Sequence, residues 1–159
     1  MASHRYVVIG AGNGGLALAA ELALRGKDLT LLELPAFADR LAPLREQGGI
    51  RVEARTATFA GGAGEHFAPL TRLTTDAAAV RDADIVVPVV PAQFHPVVIE
   101  AVLSHLRAGQ VVLVNPGGVG GALVWASAIR QAGLAGIRIA QPADLTYAGS
   151  RTEPGRVLV

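Results

Sequence analysis

Apolar and polar positions alternate along this chain in blocks of two kinds. Residues 6–9, 29–32, 85–90, 111–114 and 137–140 are short apolar runs, most of them rich in β-branched residues, with apolar side chains on both alternation phases. Such runs predict strands buried on both faces. Between them, residues 13–25, 36–47, 97–106 and 122–131 place apolar residues three and four apart, which predicts helices. Gly26, Gly48-Gly49 and Gly109 stand where helices would stop. Residues 50–54 alternate apolar and polar and predict a third strand nearer a sheet edge. Residues 55–69 carry little pattern beyond a flexible loop and are compatible with a hairpin tip between 56–59 and 70–73. Thr75-Asp76 before alanines predicts the start of a short helix. Strands alternating with helices imply an α/β fold with a doubly wound, mostly parallel sheet, helices on both faces and right-handed crossovers.

The first strand breaks into Gly10-Ala11-Gly12-Asn13-Gly14-Gly15 and then into an alanine- and leucine-rich helix. Gly10, Gly12 and Gly15 fit G-x-G-x-x-G in the strand-to-helix context that motif requires, which makes the sheet a Rossmann sheet. Gly10 allows the tight turn, Gly12 lets main chain approach a pyrophosphate, and Gly15 lets helix and strand pack closely. The unpaired N–H groups and dipole at the helix start favour phosphate oxygens there. The second strand ends at Glu33, eighteen residues beyond Gly15, close to where an acid would accept hydrogen bonds from the adenosine ribose. Leu34, Pro35 and Ala36 follow it, so NAD is expected over NADP. Arg40 is the residue best placed to reverse that preference.

Composition narrows the partners. The 159 residues are enough for one domain, taken as 1–159. Apolar residues make up 51% against 17% charged, and the net charge of +1 comes without a basic cluster, so nucleic acid is not expected as a partner. No cysteine is present, which suits a reducing cytoplasm. The four histidines lack metal-ligand spacing, and no metal is expected. Charges at Glu21, Arg25, Lys27 and Asp28 interrupt the first apolar stretch well short of the ~18 residues that span a bilayer. A soluble, cytoplasmic protein with no membrane partner is expected.

Ligands of doubly wound sheets bind beyond the carboxyl ends of the strands, where strand order reverses. The Gly10 turn, Glu33, the loop of Pro88 to His95 and the glycine-rich Asn115-Pro116-Gly117-Gly118-Val119-Gly120-Gly121 turn all lie at such ends. Together, residues 7–15, Val90-Pro91-Ala92, Asn115-Pro116-Gly117 with Gly120-Gly121, and Tyr147-Ala148-x-x-Arg151 with Pro154-Gly155 resemble the opine (octopine/nopaline) dehydrogenase family. The match covers essentially the whole chain. It looks like that family's N-terminal cofactor domain, which is related to those of ketopantoate reductases and glycerol-3-phosphate dehydrogenases.

The resemblance implies reductive condensation of an amino acid with a 2-oxo acid, hydride passing from NAD(P)H to an imine. It also implies a largely helical C-terminal domain, absent here, that supplies the acid–base histidine and most substrate contacts. No catalytic residue is therefore expected in this chain, which should bind cofactor with negligible turnover. The expected cofactor-binding residues are Gly10, Gly12, Asn13, Gly14, Gly15, Glu33, Pro91, Asn115 and Gly117. Asn115 either hydrogen-bonds the nicotinamide carboxamide or ribose, or simply makes a turn. His95 reads more readily as a surface residue than as a cofactor contact, His66 as an exposed loop residue, His105 as structural, and Trp125 as a core or interface anchor. Arg151 pairs with a carboxylate or pyrophosphate, or sits on a fraying tail. Gln141 occupies a place where the resemblance leads one to expect an acid. Three other readings stay open: a stand-alone NAD(H)-binding module, the cofactor half of a ketopantoate reductase-like enzyme, and an FAD-binding domain. The oligomeric state is not legible.

Overall fold

A computed structural model describes residues 4–159. In chain order the regular elements are β1 (Arg5–Ile9), α1 (Asn13–Leu24), β2 (Asp28–Leu32), α2 (Ala42–Gln47), β3 (Gly49–Ala54), β4 (Gly64–Pro69), β5 (Leu73–Thr74), β6 (Ile85–Pro88), α3 (His95–Val102), β7 (Val111–Leu113), α4 (Gly121–Gln131), β8 (Arg138–Ala140), β9 (Ser150–Glu153) and β10 (Arg156–Leu158). Short 3-10 turns add Pro35–Leu41, Ala77–Asp82, Ala92–Phe94 and Leu103–His105. Among the described residues no helix is long and apolar enough to cross a membrane.

Six strands form the expected parallel sheet in the order β5-β2-β1-β6-β7-β8. Alternate residues of the central strands feed two cores. Val8, Leu31 and Val87 face α1, while Val7, Ile9, Leu32, Val86 and Val112 face α3 and α4, where Val98, Val102, Trp125 and Ile129 are buried. The chain runs from β1 outward to β2 and then returns to the other side of β1 at β6, so strand order reverses between β1 and β6. The sheet's register aligns the exits there: the Gly10 N–H donates to Leu32 O at 2.8 Å, Val89 N–H to Ile9 O at 2.8 Å and Asn115 N–H to Pro88 O at 3.0 Å.

The remaining strands depart from expectation. Residues 50–54 belong to no edge of the parallel sheet; the place beside β2 is taken by Leu73–Thr74. Instead β3 lies in a second sheet, β4-β3-β10-β9, antiparallel to β4 and parallel to β10. The hairpin is therefore Gly49–Ala54 with Gly64–Pro69, not 56–59 with 70–73, and His66 is a strand residue whose Nε2 lies 2.9 Å from Gly62 O. The C-terminal residues make a β9–β10 hairpin, so Arg151 is part of a strand and not of a loose tail. Two helices are shorter than their patterns. Residues 36–47 divide into a 3-10 turn and α2, with Phe37 off helical geometry at φ −122°. Residues 97–106 are matched by α3 and a 3-10 turn that begins at Leu103.

The second sheet explains the composition of α1. A helix apolar on one stripe needs one partner, whereas one apolar all round needs two. Leu16, Ala17, Leu18, Ala19 and Ala20 are all buried, with the parallel sheet on one side and β3, β4 and β10 on the other. Glu21 is the polar exception in this sandwich. Its carboxylate accepts from Arg25 Nε at 2.6 Å and from the Ala60 N–H at 2.7 Å, which satisfies a charge that burial would otherwise make costly. Burial beside Glu21 raises the pKa of Tyr147, and the Tyr147 ring meets Phe59 edge-on at 5.7 Å.

Candidate functional site

The β1 exit is shaped by four glycines with different constraints. Gly10 has φ +107°, and a Cβ there would stand 2.7 Å from Val89 O, so both conformation and space exclude a side chain. A Cβ at Gly15 would overlap the Gly10 carbonyl oxygen, and one at Gly14 would lie 2.9 Å from Leu145 Cδ1. Gly12 differs: its φ is −80°, open to any residue, and a Cβ would meet nothing within 4 Å. It caps α1 without a side-chain hydrogen bond, and the first turn of the helix carries no acid. Open space thus stands over free helix N–H groups, with no acidic side chain in that turn to oppose an anion.

Glu33 is buried beside this turn. Its Oε2 accepts the Ala11 N–H at 2.8 Å and its Oε1 the Leu34 N–H at 2.9 Å, while Arg40 Nη1 lies 3.3 Å from Oε2. The acid therefore ties the glycine turn to the end of β2. Each carboxylate oxygen has two acceptor positions, and Oε1 has one of them left. The Arg40 guanidinium lies over the Phe37 ring at 4.3 Å, and Phe37 meets Phe94 edge-on at 5.9 Å.

Together these groups border a crevice of about 400 Å³ that runs from the β2 end to the β7 end of the sheet. Of the expected residues, Gly10, Gly12, Asn13, Gly14, Glu33 and Pro91 line it. Gly15 lies beneath, against the turn it allows. Asn115 and Gly117 stand behind the wall, and Pro116 between them reaches the crevice. Asn115 is buried and its Oδ1 accepts the Thr146 N–H at 3.1 Å. Gly117 packs against the Gln141 side chain, which accepts the Ala122 N–H at 3.0 Å and donates to Gly118 O at 3.0 Å. Gln141 thus holds the second glycine turn, and its amide supplies a donor that an acid would lack. Arg151 lines the crevice too, and its N–H donates to Asn13 Oδ1 at 3.2 Å.

Sequence reading placed residues 88–95 on this rim but named none of the apolar lining as contacts: Leu34, Phe37, Val89, Val90, Phe94 and Leu145. Phe37 and Phe94 carried a usable signal, since each follows the carboxyl end of a central strand. The reading of His95 as a surface residue was wrong. It is buried with 2% exposure at the first turn of α3. Its Nδ1 accepts the indole N–H of Trp125, itself fully buried, at 3.2 Å. Burial lowers the His95 pKa, the Pro116 carbonyl pulling weakly the other way.

Comparison with known proteins agrees with this geometry. No family model matches the chain. It is 34% identical over 158 residues to an opine dehydrogenase of Arthrobacter sp. (strain 1C), covering 99% of this chain and 42% of that protein. Octopine dehydrogenase solved with NADH and L-arginine superposes with a TM-score of 0.83 at 22% identity, over 99% of this chain and 39% of that one. Over nearly its whole length this chain is therefore similar to a part of an opine dehydrogenase. A PanE/ApbA family ketopantoate reductase from Ralstonia eutropha JMP134 shares the fold, with a TM-score of 0.70 at 25% identity over 96% of this chain and 45% of that one. NADP⁺-bound yersinopine dehydrogenase does so with a TM-score of 0.77 at 18% identity, over 98% and 38%. The chain spans about two fifths of the length of the opine dehydrogenases it matches.

Proposed function

We propose that the crevice holds a nicotinamide dinucleotide, NADH in preference to NADPH, and that this chain serves as the cofactor-binding part of an opine dehydrogenase. The observation that carries this is the empty space over Gly12: it is the one glycine of the turn with neither a backbone nor a packing requirement, and it faces the free N–H groups of α1. A diphosphate accounts for that glycine. The free acceptor position on Glu33 Oε1 takes a ribose hydroxyl, and the Phe37–Phe94 pair offers apolar surface beside it. Pro91, Val90 and Leu145 exclude water along the middle, and Pro116 closes the far end.

A bound reduced nicotinamide would supply hydride to the imine formed, with loss of water, from an amino acid and a 2-oxo acid, and a proton would reach the nitrogen. This chain's own residues bind and orient; the acid–base group and substrate contacts are assigned to a second domain. Support comes from relatives more than twice as long as the matched region.

A 2′-phosphate placed against Glu33 would meet a like charge, which the paired Arg40 offsets only in part. Calorimetric titration with NADH and NADPH side by side tests the preference. NADH is expected to bind more tightly in the native chain. Arg40→Ala should weaken NADPH further, because it leaves the carboxylate uncompensated. Tighter NADPH binding in the native chain would reverse the cofactor assignment, and absence of binding to either would remove it.

A further inference from the structure

One buried polar group has no task in that reading. His95 Nε2 lies buried without a hydrogen-bond partner, a costly state for an N–H. The indole N–H of Trp125 donates to Nδ1 at 3.2 Å, so in the neutral ring the proton sits on Nε2. That N–H points to the underside of the second glycine turn. A Cβ on Gly121 would lie 3.6 Å from Nε2, and the Pro116 carbonyl comes near enough to the ring to pull its pKa up against the effect of burial while missing hydrogen-bond alignment with Nε2. On its other side Pro116 lines the crevice. One residue therefore separates an idle donor from the cavity, and its carbonyl is the acceptor the donor lacks.

We propose that His95 is a positioning residue for the nicotinamide end of the crevice: its Nε2–H takes the Pro116 carbonyl when a dinucleotide seats against Pro116, and so fixes the Pro116–Gly121 turn in its bound form. Trp125 keeps the proton on the nitrogen that faces the turn. The inference rests on the cofactor reading above and adds a division within it. Adenosine and diphosphate bind independently of His95, whereas the nicotinamide end depends on it.

The test compares NADH with ADP-ribose, which lacks the nicotinamide, by calorimetry on the purified chain. His95→Phe should lose about tenfold in NADH affinity, the worth of one hydrogen bond, and less than about twofold in ADP-ribose affinity. His95→Gln, whose amide nitrogen can donate near the Nε2 position, should bind NADH within about threefold of the native chain. A merely structural histidine would lower both ligands in proportion, and that outcome overturns the proposal, as does native NADH affinity in His95→Phe. Should the phenylalanine variant fail to fold, the native chain still decides. The single indole N–H resonance of Trp125 is expected to shift with NADH and stay in place with ADP-ribose; identical behaviour with both overturns the proposal. A native chain that binds ADP-ribose but gains nothing from nicotinamide defeats this inference alone, while one that binds neither defeats the cofactor reading.

Discussion

Gly12 and Gly15 sit in one turn, three residues apart, and the structure gives them opposite sensitivities. At Gly12 a side chain meets open space in an ordinary backbone conformation. Gly12→Val should cost about 1 kcal/mol through poorer capping, leave the circular dichroism spectrum intact and abolish NADH binding by calorimetry. At Gly15 the added carbon overlaps the Gly10 carbonyl, so Gly15→Ala should cost about 3 kcal/mol and lower Tm before binding can be measured. If Gly12→Val bound NADH with native affinity, the diphosphate would have to lie elsewhere. His95 offers a second residue-scale test. Burial holds its pKa below the ordinary value, so between the folded and unfolded pKa values the unfolded chain binds a proton that the folded chain does not. That contribution to stability is present above the unfolded value of about 6.5 and is lost as pH falls through the folded one. His95→Gln should flatten the acid limb of Tm against pH; an equally steep limb would mean that the histidine does not titrate on unfolding. The glycines were legible in the sequence because their spacing encodes a local turn. His95 was not: Phe94-His95-Pro96 resembles a surface loop, and its burial depends on Trp125, thirty residues later.

Local pattern also governed which elements could be read. Five of the six parallel strands, all but β5, follow with α1 and α4 from runs whose partners are set by short crossovers. The second sheet was hidden because β10 joins β3 across about a hundred residues, and a three-residue strand carries no signal of its own partner. Its indirect trace was α1, whose apolar residues on every side require burial on both faces. The pairing has a measurable weight. Val157 in β10 is fully buried among Leu16, Ala17, Val52 and their neighbours. Val157→Ala should cost about 2 kcal/mol, or roughly 4–8 °C in Tm for a domain of this size. The same hairpin carries the Arg151 N–H that holds Asn13 Oδ1 at the start of α1, so loosening it should also weaken NADH binding modestly. A variant with unchanged Tm would show that the hairpin lies on the domain without supporting it.

At the scale of the whole molecule, binding and chemistry separate. In the reading proposed above, the grip on a dinucleotide comes from this chain's own elements: the helix start beneath Gly12, the acid after β2, and the proline-bounded wall after β6 and β7. Hydride transfer asks for more. The acceptor carbon must be held about 3–3.5 Å from the donor, with water excluded and a proton source in reach. The one histidine near the crevice is buried behind Pro116, its Nδ1 engaged by Trp125, so it presents no acid to a substrate in the open cavity. With NADH, pyruvate and a mixture of amino acids, the chain alone should therefore saturate with cofactor in calorimetry yet consume NADH no faster than a protein-free control, with no opine detectable by mass spectrometry. If the proposed second domain supplies the remaining contacts and the acid, extending the chain with the remaining portion of an opine dehydrogenase should give turnover without strengthening ADP-ribose binding. Brisk opine formation by the chain alone would show instead that this chain suffices, and would return the search for a proton donor to this domain's own surface.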